Sequence, residues 1–494
     1  AAPLARGAAI HQNRAMRIAL AQCGAIHDLA AGRALAAADL HAAIAGRAAV
    51  LRSKGTRRGV TVVIGHGGSA DFFADLFAVW ACGATAACID ASLTPGERAT
   101  VAAFARPVLA LVSCPAEADG WGVETLSLAG TPPAADLPVE AASHLDDAAL
   151  VLFTSGTTGA PKGVVLTFRA LFARIALNHA AIGDPLRGRT LVTLPTHFGH
   201  GLIGNALTPL LAGGDIVLAP RGLGLAKDLA RLIDAERITF MSSVPTLWRM
   251  ALKLSSPPAG GTLARVHVGS APLSAALWAD IAAWSRAETV NCLGITETAN
   301  WIGGASSRAD GIADGYVGRP WGGSVAVRLD DGRVMAAGEG EIVVQTPALM
   351  QGYLDRPDLT AAVLEAGWYR TGDQGVVEAR GVTVQGRLKD EINRAGFKVQ
   401  PAELDMLIEQ HADVAEACAF AIPDAISGEI VGAAVRFKPG VTGDLEAVRA
   451  FCRERLRREA TPERWFAVDE IPRTARGKVS REAVRRTLLG ETAS

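Results

Sequence analysis

Apolar and polar positions along this chain predict strands and helices in alternation. Leu35 to Arg52 carries leucines and an isoleucine at helical spacing, and Gly59 to Ile64 (GVTVVI) predicts a buried strand. Ser69 to Gly83 is apolar on most faces, which predicts a helix buried between sheet layers, and Thr85 to Ile89 predicts another strand. Ala103 to Leu111 holds a helix end and a strand. Ala148 to Phe153 has strand character, a loop of small and hydroxyl-bearing residues follows, and Val164, Val165 and Leu166 resume the apolar pattern. Leu191 to Pro195, Ile238 to Leu247 and Arg265 to Leu273 each read as a strand running into a turn. Such alternation predicts an α/β fold of doubly wound sheets.

Gly338 to Glu341 and Gly352-Tyr353 fall among short strands and turns, a small β-subdomain. Later, a helix over Ala402 to Gln410, strands around Ala415 to Ile422 and Gly432 to Phe437, and a helix over Leu445 to Arg457 predict a smaller α+β unit.

Composition narrows the function classes. A chain of 494 residues exceeds one compact core. Its 49 Lys+Arg against 50 Asp+Glu argue against nucleic acid as a main partner. Cys23, Cys82, Cys88, Cys114, Cys292, Cys418 and Cys452 are dispersed, without a CxxC, which points to reduced thiols in a cytoplasm. Residues 1–16 lack a sustained apolar stretch, so no signal peptide is expected, and no window is apolar enough to span a bilayer.

Candidate chemistry is densest after Phe153, where Thr154, Ser155, Gly156, Thr157, Thr158 and Gly159 precede Pro161, Lys162 and Gly163. Glycines let backbone N–H groups converge, and the hydroxyls and one ammonium add donors, a combination suited to a polyphosphate. The NTPase P-loop is excluded because Lys162 is followed by Gly163 rather than Ser or Thr. Gly65 to Ala70 matches the dinucleotide pattern GxGxxA, with Asp90 roughly where a ribose-binding carboxylate would sit; tight strand-to-helix turns use the same residues. His197 and His200 form an HxxH pair, but a metal site would need a third ligand.

The string LFTSGTTGAPKG (Leu152 to Gly163) resembles the phosphate-binding loop of the adenylate-forming superfamily, which includes acyl-CoA synthetases, nonribosomal adenylation domains and beetle luciferases. The resemblance continues in family order through THFGH (196–200), GSAPL (269–273), GITET (294–298), RTGDQG (370–375), GRLKD (386–390), GFKVQPAELD (396–405) and PRTARGK (472–478). It implies ATP, Mg²⁺ and coenzyme A as cosubstrates or cofactors, and a small-molecule carboxylate as substrate. A carrier protein or an amine remains an alternative acceptor, and the chain is expected as a monomer or homodimer.

By the same resemblance, Lys162, Thr296, Glu297 and Lys478 are the catalytic set, Glu297 holding Mg²⁺ and Lys478 meeting the carboxylate and α-phosphate. The 154–159 loop, Gly269, Ser270, Asp373, Arg387 and Gly396 bind nucleotide or pantetheine, and Lys389 is the hinge, which implies a large N-terminal domain over residues 1–387 and a mobile C-terminal domain over 388–494. His197, Phe198, Gly199, Leu293 and Trp301 line the substrate pocket. Leu293 stands where the family usually has an adenine-stacking aromatic, and Ser270 where it has Gly. With no Lys or Arg in that lining, the expected substrate is a monocarboxylate with an aromatic or medium aliphatic tail.

Overall fold

A computed structural model describes residues 23–114, 117–135, 144–154, 162–220, 222–394, 397–424, 427–458, 460–474 and 479–490. The first strands are Ile26–Asp28 (β1), Arg33–Leu35 (β2), Thr61–Ile64 (β3), Thr85–Cys88 (β4), Leu109–Leu111 (β5), Thr125–Leu126 (β6), Ala148–Thr154 (β7) and Lys162–Thr167 (β8). Among them lie helices Ala37–Ser53 (α1), Ala70–Ala81 (α2) and Pro95–Ala105 (α3), and Phe168–Ile182 (α4) follows. The central strands are Arg189–Val192 (β9), Asp215–Leu218 (β10), Ile238–Ser243 (β11), Arg265–Gly269 (β12), Glu288–Ile295 (β13) and Asn300–Ser306 (β14). Tyr316–Pro320 (β15), Ser324–Arg328 (β16), Val334–Met335 (β17), Gly338–Gln345 (β18), Gly352–Tyr353 (β19), Leu364–Glu365 (β20), Trp368–Glu378 (β21) and Gly381–Arg387 (β22) complete the large part.

Two sheets organise these strands. One has seven, in the order β19-β8-β7-β4-β3-β5-β6, and is parallel from β7 to β6. The other has fifteen; β1 and β9 to β13 run parallel, and the chain then reverses into an antiparallel half through β14 and β15. The expected small β-subdomain is this antiparallel half, β15 to β18 with β20 to β22, while β19 leaves it to pair with β8 at the edge of the other sheet. Backbone pairing decides this, since two-residue strands carry too little pattern to name a partner.

Helix α2 is apolar all round because it packs between layers; all its residues but Asp71 are buried. Ser69 caps it, its Oγ accepting from Phe72 N at 3.3 Å. Phe72, Phe73, Phe77 and Trp80 join one cluster with residues of β3, β4, β7, β8 and α4, locking the two sheets together. Full burial of each such ring is worth about 1.5–3 kcal/mol.

A third sheet is built from Ile392–Arg394 (β23), Phe397–Val399 (β24), Val414–Asp424 (β25), Gly428–Phe437 (β26) and Arg464–Ala467 (β27). It has its own apolar clusters, among them Ile408, Val414, Val435, Val448 and Trp465. Arg249 ties it to the large part, donating to Glu409 Oε2 at 3.2 Å and to the Ala415 carbonyl at 3.3 Å. No helix among the described residues is long and apolar enough to cross a membrane.

Candidate active site

The β7–β8 hairpin opposes Thr154 to Lys162 and so brackets the phosphate-loop sequence. Ser155, Gly156, Thr157, Thr158 and Gly159 lie outside the described residues, as do Gly396 and Lys478. Gly163 in β8 is closely packed: a Cβ there would stand 3.1 Å from Val151 Cγ1 and 3.2 Å from Leu354 Cβ.

Thr296 and Glu297 sit on a 3-10 turn between β13 and β14. The reversal is tight enough to put Ala299 at φ 55 and Asn300 at φ 112, conformations L side chains adopt at a cost. Neighbours hold it there. Met350 N donates to the Glu297 carbonyl at 2.7 Å, and Arg174 Nε of α4 donates to the Thr298 carbonyl at 3.1 Å. Arg174 is fully buried, with further bonds to Trp321 O and Thr346 Oγ1, and burial pushes its guanidinium down to about 10. It still carries its charge at neutral pH.

The Glu297 side chain meets the phosphate hairpin through Tyr353 of β19. The Tyr353 hydroxyl donates to Glu297 Oε1 at 2.8 Å, and Lys162 Nζ stands 5.6 Å over the Tyr353 ring. Burial, then the adjoining carboxylate, push the Tyr353 phenol well above its ordinary value, so it remains a donor. Tyr369 beside it is raised by burial and by the same carboxylate, and Arg387 acts in the opposite sense. The Thr-Gly-Asp residues are thereby tied into the same electrostatic neighbourhood. Asp373 and Arg387 face each other across β21 and β22, with Nε 2.5 Å from Oδ1; Asp373 is buried and Arg387 half-exposed. Lys389 follows, exposed, on the turn Leu388–Asp390.

The expected pocket residues His197, Phe198 and Gly199, here called the gate, come from the segment after β9, which ends at Val192 rather than Pro195. A Cβ on Gly199 would lie 3.6 Å from Leu152 Cδ1 and 3.8 Å from Thr296 Oγ1, so the segment abuts both the phosphate hairpin and the Thr-Glu turn. From His200 to Leu207 the chain is π-helical, a local winding often found at functional sites. His197 and His200 do not share a ligand position. His197 Nε2 is 3.3 Å from Asp90 Oδ2 and its ring packs edge-on against Phe198. His200 lies within hydrogen-bond distance of Ser270 through Nδ1 (2.7 Å) and of Ser242 through Nε2 (2.6 Å). Asp90, the residue that the GxGxxA pattern would set at a ribose, instead faces His197.

Behind His200 stands an aromatic block. Trp301 is fully buried, with ring centroids 5.5 Å from His200, 4.6 Å from His267 and 6.4 Å from Phe240. Ser270 holds φ 67, the left-handed conformation for which Gly is better suited, and projects its hydroxyl at His200. Leu293 is not brought to this block. Side chains alternate along β13, so Cys292 joins Trp301 while Leu293 packs against the cluster that includes Ile302, Val317 and Val382 in the antiparallel half.

The structure adds Tyr353, Arg174, Ser242 and a bonding role for His200 to the residues the sequence singled out. For His200 the HxxH spacing was a signal; for the others there was none, since a Tyr in a two-residue strand or an Arg on a helix looks ordinary.

Comparison with known proteins decides the family. The AMP-binding enzyme family matches residues 12–354, and the AMP-binding enzyme C-terminal domain matches residues 403–478. The chain belongs to the AMP-binding enzyme family. It is 31% identical over 370 residues to an oxalate–CoA ligase of Arabidopsis thaliana, covering 74% of this chain and 72% of that protein. It is 30% identical over 487 residues to a 4-chlorobenzoate–CoA ligase of an Arthrobacter species, covering 94% and 92%. The solved amide bond synthetase McbA from Marinactinospora thermotolerans superposes with a TM-score of 0.85 at 27% identity, covering 96% of this chain and 99% of that one. The adenylate-forming resemblance read from the motifs and the family match agree.

Proposed function

We propose that this protein is an AMP-forming acyl-CoA synthetase: it joins a carboxylate to AMP from ATP with release of pyrophosphate, then passes the acyl group from acyl-AMP to the thiol of coenzyme A. The observation that carries this reading is the meeting, around Tyr353, of Lys162 from the phosphate hairpin and Glu297 from the Thr-Glu turn.

In this reading Lys162 and the loop before it grip the triphosphate, Thr296 contacts the α-phosphate, and Asp373 with Arg387 clamps the ribose hydroxyls. The protein aligns a carboxylate oxygen with the α-phosphorus and offsets the charge that gathers there, with little acid–base work. Mg²⁺ fits the donor set. Tyr353 occupies Glu297 Oε1, no partner of Oε2 is found among the described residues, and Mg²⁺ is characteristically held by one or two carboxylates plus substrate phosphates. Bound there, it would neutralise phosphate charge.

Residues 388–494 act as a lid turning about Lys389, which carries Lys478 to the reacting carboxylate and away again. Support for a unit that moves as one body comes from its separate sheet and apolar clusters. The gate, with His200 and the aromatic block behind it, suits a monocarboxylate with a neutral aromatic or medium aliphatic tail; Arg265, the nearby cation, pairs with Glu288 at 3.5 Å. The seven cysteines are all free, which fits a reducing compartment such as the cytoplasm.

The full-length likeness to an amide bond synthetase favours a second reading of the acceptor, an amine; a carrier-protein thiol is the other alternative. The test is pyrophosphate release with Mg·ATP across a panel of carboxylates, with and without coenzyme A, repeated on Lys478→Ala. Multiple turnover that needs coenzyme A, lost in the variant while ATP binding persists, is the expected result. A single-turnover burst indifferent to coenzyme A would transfer the assignment to another acceptor, and undiminished release from Lys478→Ala would overturn the adenylation step.

A further inference from the structure

The glycine turn after β3 takes no part in the reaction above, yet it is built with unusual rigidity and closes against the gate. His66 Nε2 lies 2.8 Å from Asp75 Oδ2, and Asp75 also pairs with the buried Arg47. Ala70 N donates to Asp28 Oδ2 at 3.0 Å, and Ser69 caps α2. The position of residues 65–70 is therefore fixed from three directions.

Thr196 rests on this turn. Its Oγ1 accepts from Gly68 N at 3.1 Å, and a Cβ on Gly67 would stand only 2.5 Å from the same oxygen. Thr196 is 2% exposed and immediately precedes His197 and Phe198. The loop after β4 supplies a second point of contact, Asp90 on His197, and Asp90 is itself held by Ser92, whose N and Oγ donate to Oδ1 at 2.9 and 2.7 Å. On the far side Gly201 lets the chain double back, since a Cβ there would fall 2.0 Å from the Pro195 carbonyl oxygen. The gate is thus a compact loop of the long sheet seated on the C-terminal ends of two parallel strands of the other.

We infer that Gly67, Thr196 and Asp90 are positioning residues that set where His197 and Phe198 stand, and so determine the affinity for the carboxylate without touching it. The inference rests on the reading that this gate borders the carboxylate site. A methyl group on Gly67 has no room unless Thr196 moves, and displacement of a substrate-positioning segment by about 1 Å can cost up to about a hundredfold in rate.

The experiment compares the full chain with Gly67→Ala, Thr196→Ala, the double variant and Asp90→Asn. Each is measured for the KM of the best carboxylate, the KM of ATP and the melting temperature. Gly67→Ala is expected to raise the carboxylate KM about tenfold with the ATP KM within about twofold, and adding Thr196→Ala is expected to recover most of that loss by removing the clash. Asp90→Asn keeps the Ser92 contacts, should fold normally, and is expected to raise the carboxylate KM alone. Equal rises in both KM values, unchanged values throughout, or a double variant no better than Gly67→Ala would overturn the seat. If even the unaltered protein activates no carboxylate, the functional reading fails instead. The seat is then judged by the melting temperatures, where non-additivity of Gly67→Ala and Thr196→Ala upholds the contact and additivity rejects it.

Discussion

The Tyr353 hydroxyl donates to Glu297 Oε1 at 2.8 Å, joining an edge strand of one sheet to the turn that ends a strand of the other. Because burial and the carboxylate itself hold the phenol protonated, the bond persists across the working pH range. It fixes the direction in which Glu297 presents its second oxygen.

Tyr353→Phe keeps the ring and its contact with Lys162 and removes only that hydroxyl. The Mg²⁺ concentration for half-maximal pyrophosphate release should rise about tenfold, the scale of losing a partner that orients a metal-binding carboxylate, while the carboxylate KM stays close to its starting value. A Mg²⁺ titration of initial rates reads both; an unchanged half-saturation would show that Glu297 needs no such support.

Arg174 spans three segments with a buried guanidinium and, among the described residues, no carboxylate partner. Arg174→Met fills the volume but strands the Thr298 and Trp321 carbonyls, and a loss of about 2–3 kcal/mol in unfolding free energy is expected. Lysine has no planar fork and should recover only part of it. Urea unfolding of the three proteins is the measurement, and a change within about 0.5 kcal/mol would place Arg174 among ordinary surface-tolerant positions.

His267 is fully buried, and burial with the nearby charges of Arg265 and His200 holds its imidazole well below the ordinary value. Arg265 Nε donates to His267 Nε2 at 3.0 Å, which requires that nitrogen to be unprotonated. The folded state therefore binds fewer protons than the unfolded chain below the ordinary histidine value of about 6.5, and this residue's contribution is present above that pH and lost as pH falls beneath it, by at most about 1.4 kcal/mol per pH unit. His267→Gln should flatten the stability profile below pH about 6.5 relative to the unaltered protein. Parallel profiles from thermal melts at stepped pH would remove His267 as the source.

Asp373 is buried against Arg387, and in the proposed reading its carboxylate accepts the ribose hydroxyls. Asp373→Ala is expected to raise the KM for ATP about tenfold or more, equivalent to about 1.4 kcal/mol of ribose binding, with little change in the carboxylate KM. The same substitution assayed with 2′-deoxy-ATP should show a smaller penalty than with ATP. An equal penalty would separate Asp373 from the ribose.

Much of this protein was determined locally. The apolar runs of β3, β4 and β7, the all-round apolar α2 and the loop composition between Phe153 and Val164 follow from residue chemistry within short windows, and so does the order of motifs that marks the family. Local patterns report which face a residue buries and which turn it permits, and those are short-range properties.

The tertiary structure alone decided what those patterns touch. Glycines at Gly65, Gly67 and Gly68 suit a tight strand-to-helix turn, but that Thr196, more than a hundred residues later, is seated on them is visible only in the fold. The HxxH spacing suggested a pair, but the two rings turn to different partners, Asp90 and the serines Ser242 and Ser270. Leu293 shares its strand with the site but faces away from Trp301. Tyr353 gained its role only because a two-residue strand crosses from one sheet to the edge of the other. Each of these depends on contacts between segments far apart in the chain, set by backbone pairing and by the space a missing Cβ leaves, and neither leaves a periodic trace in the sequence.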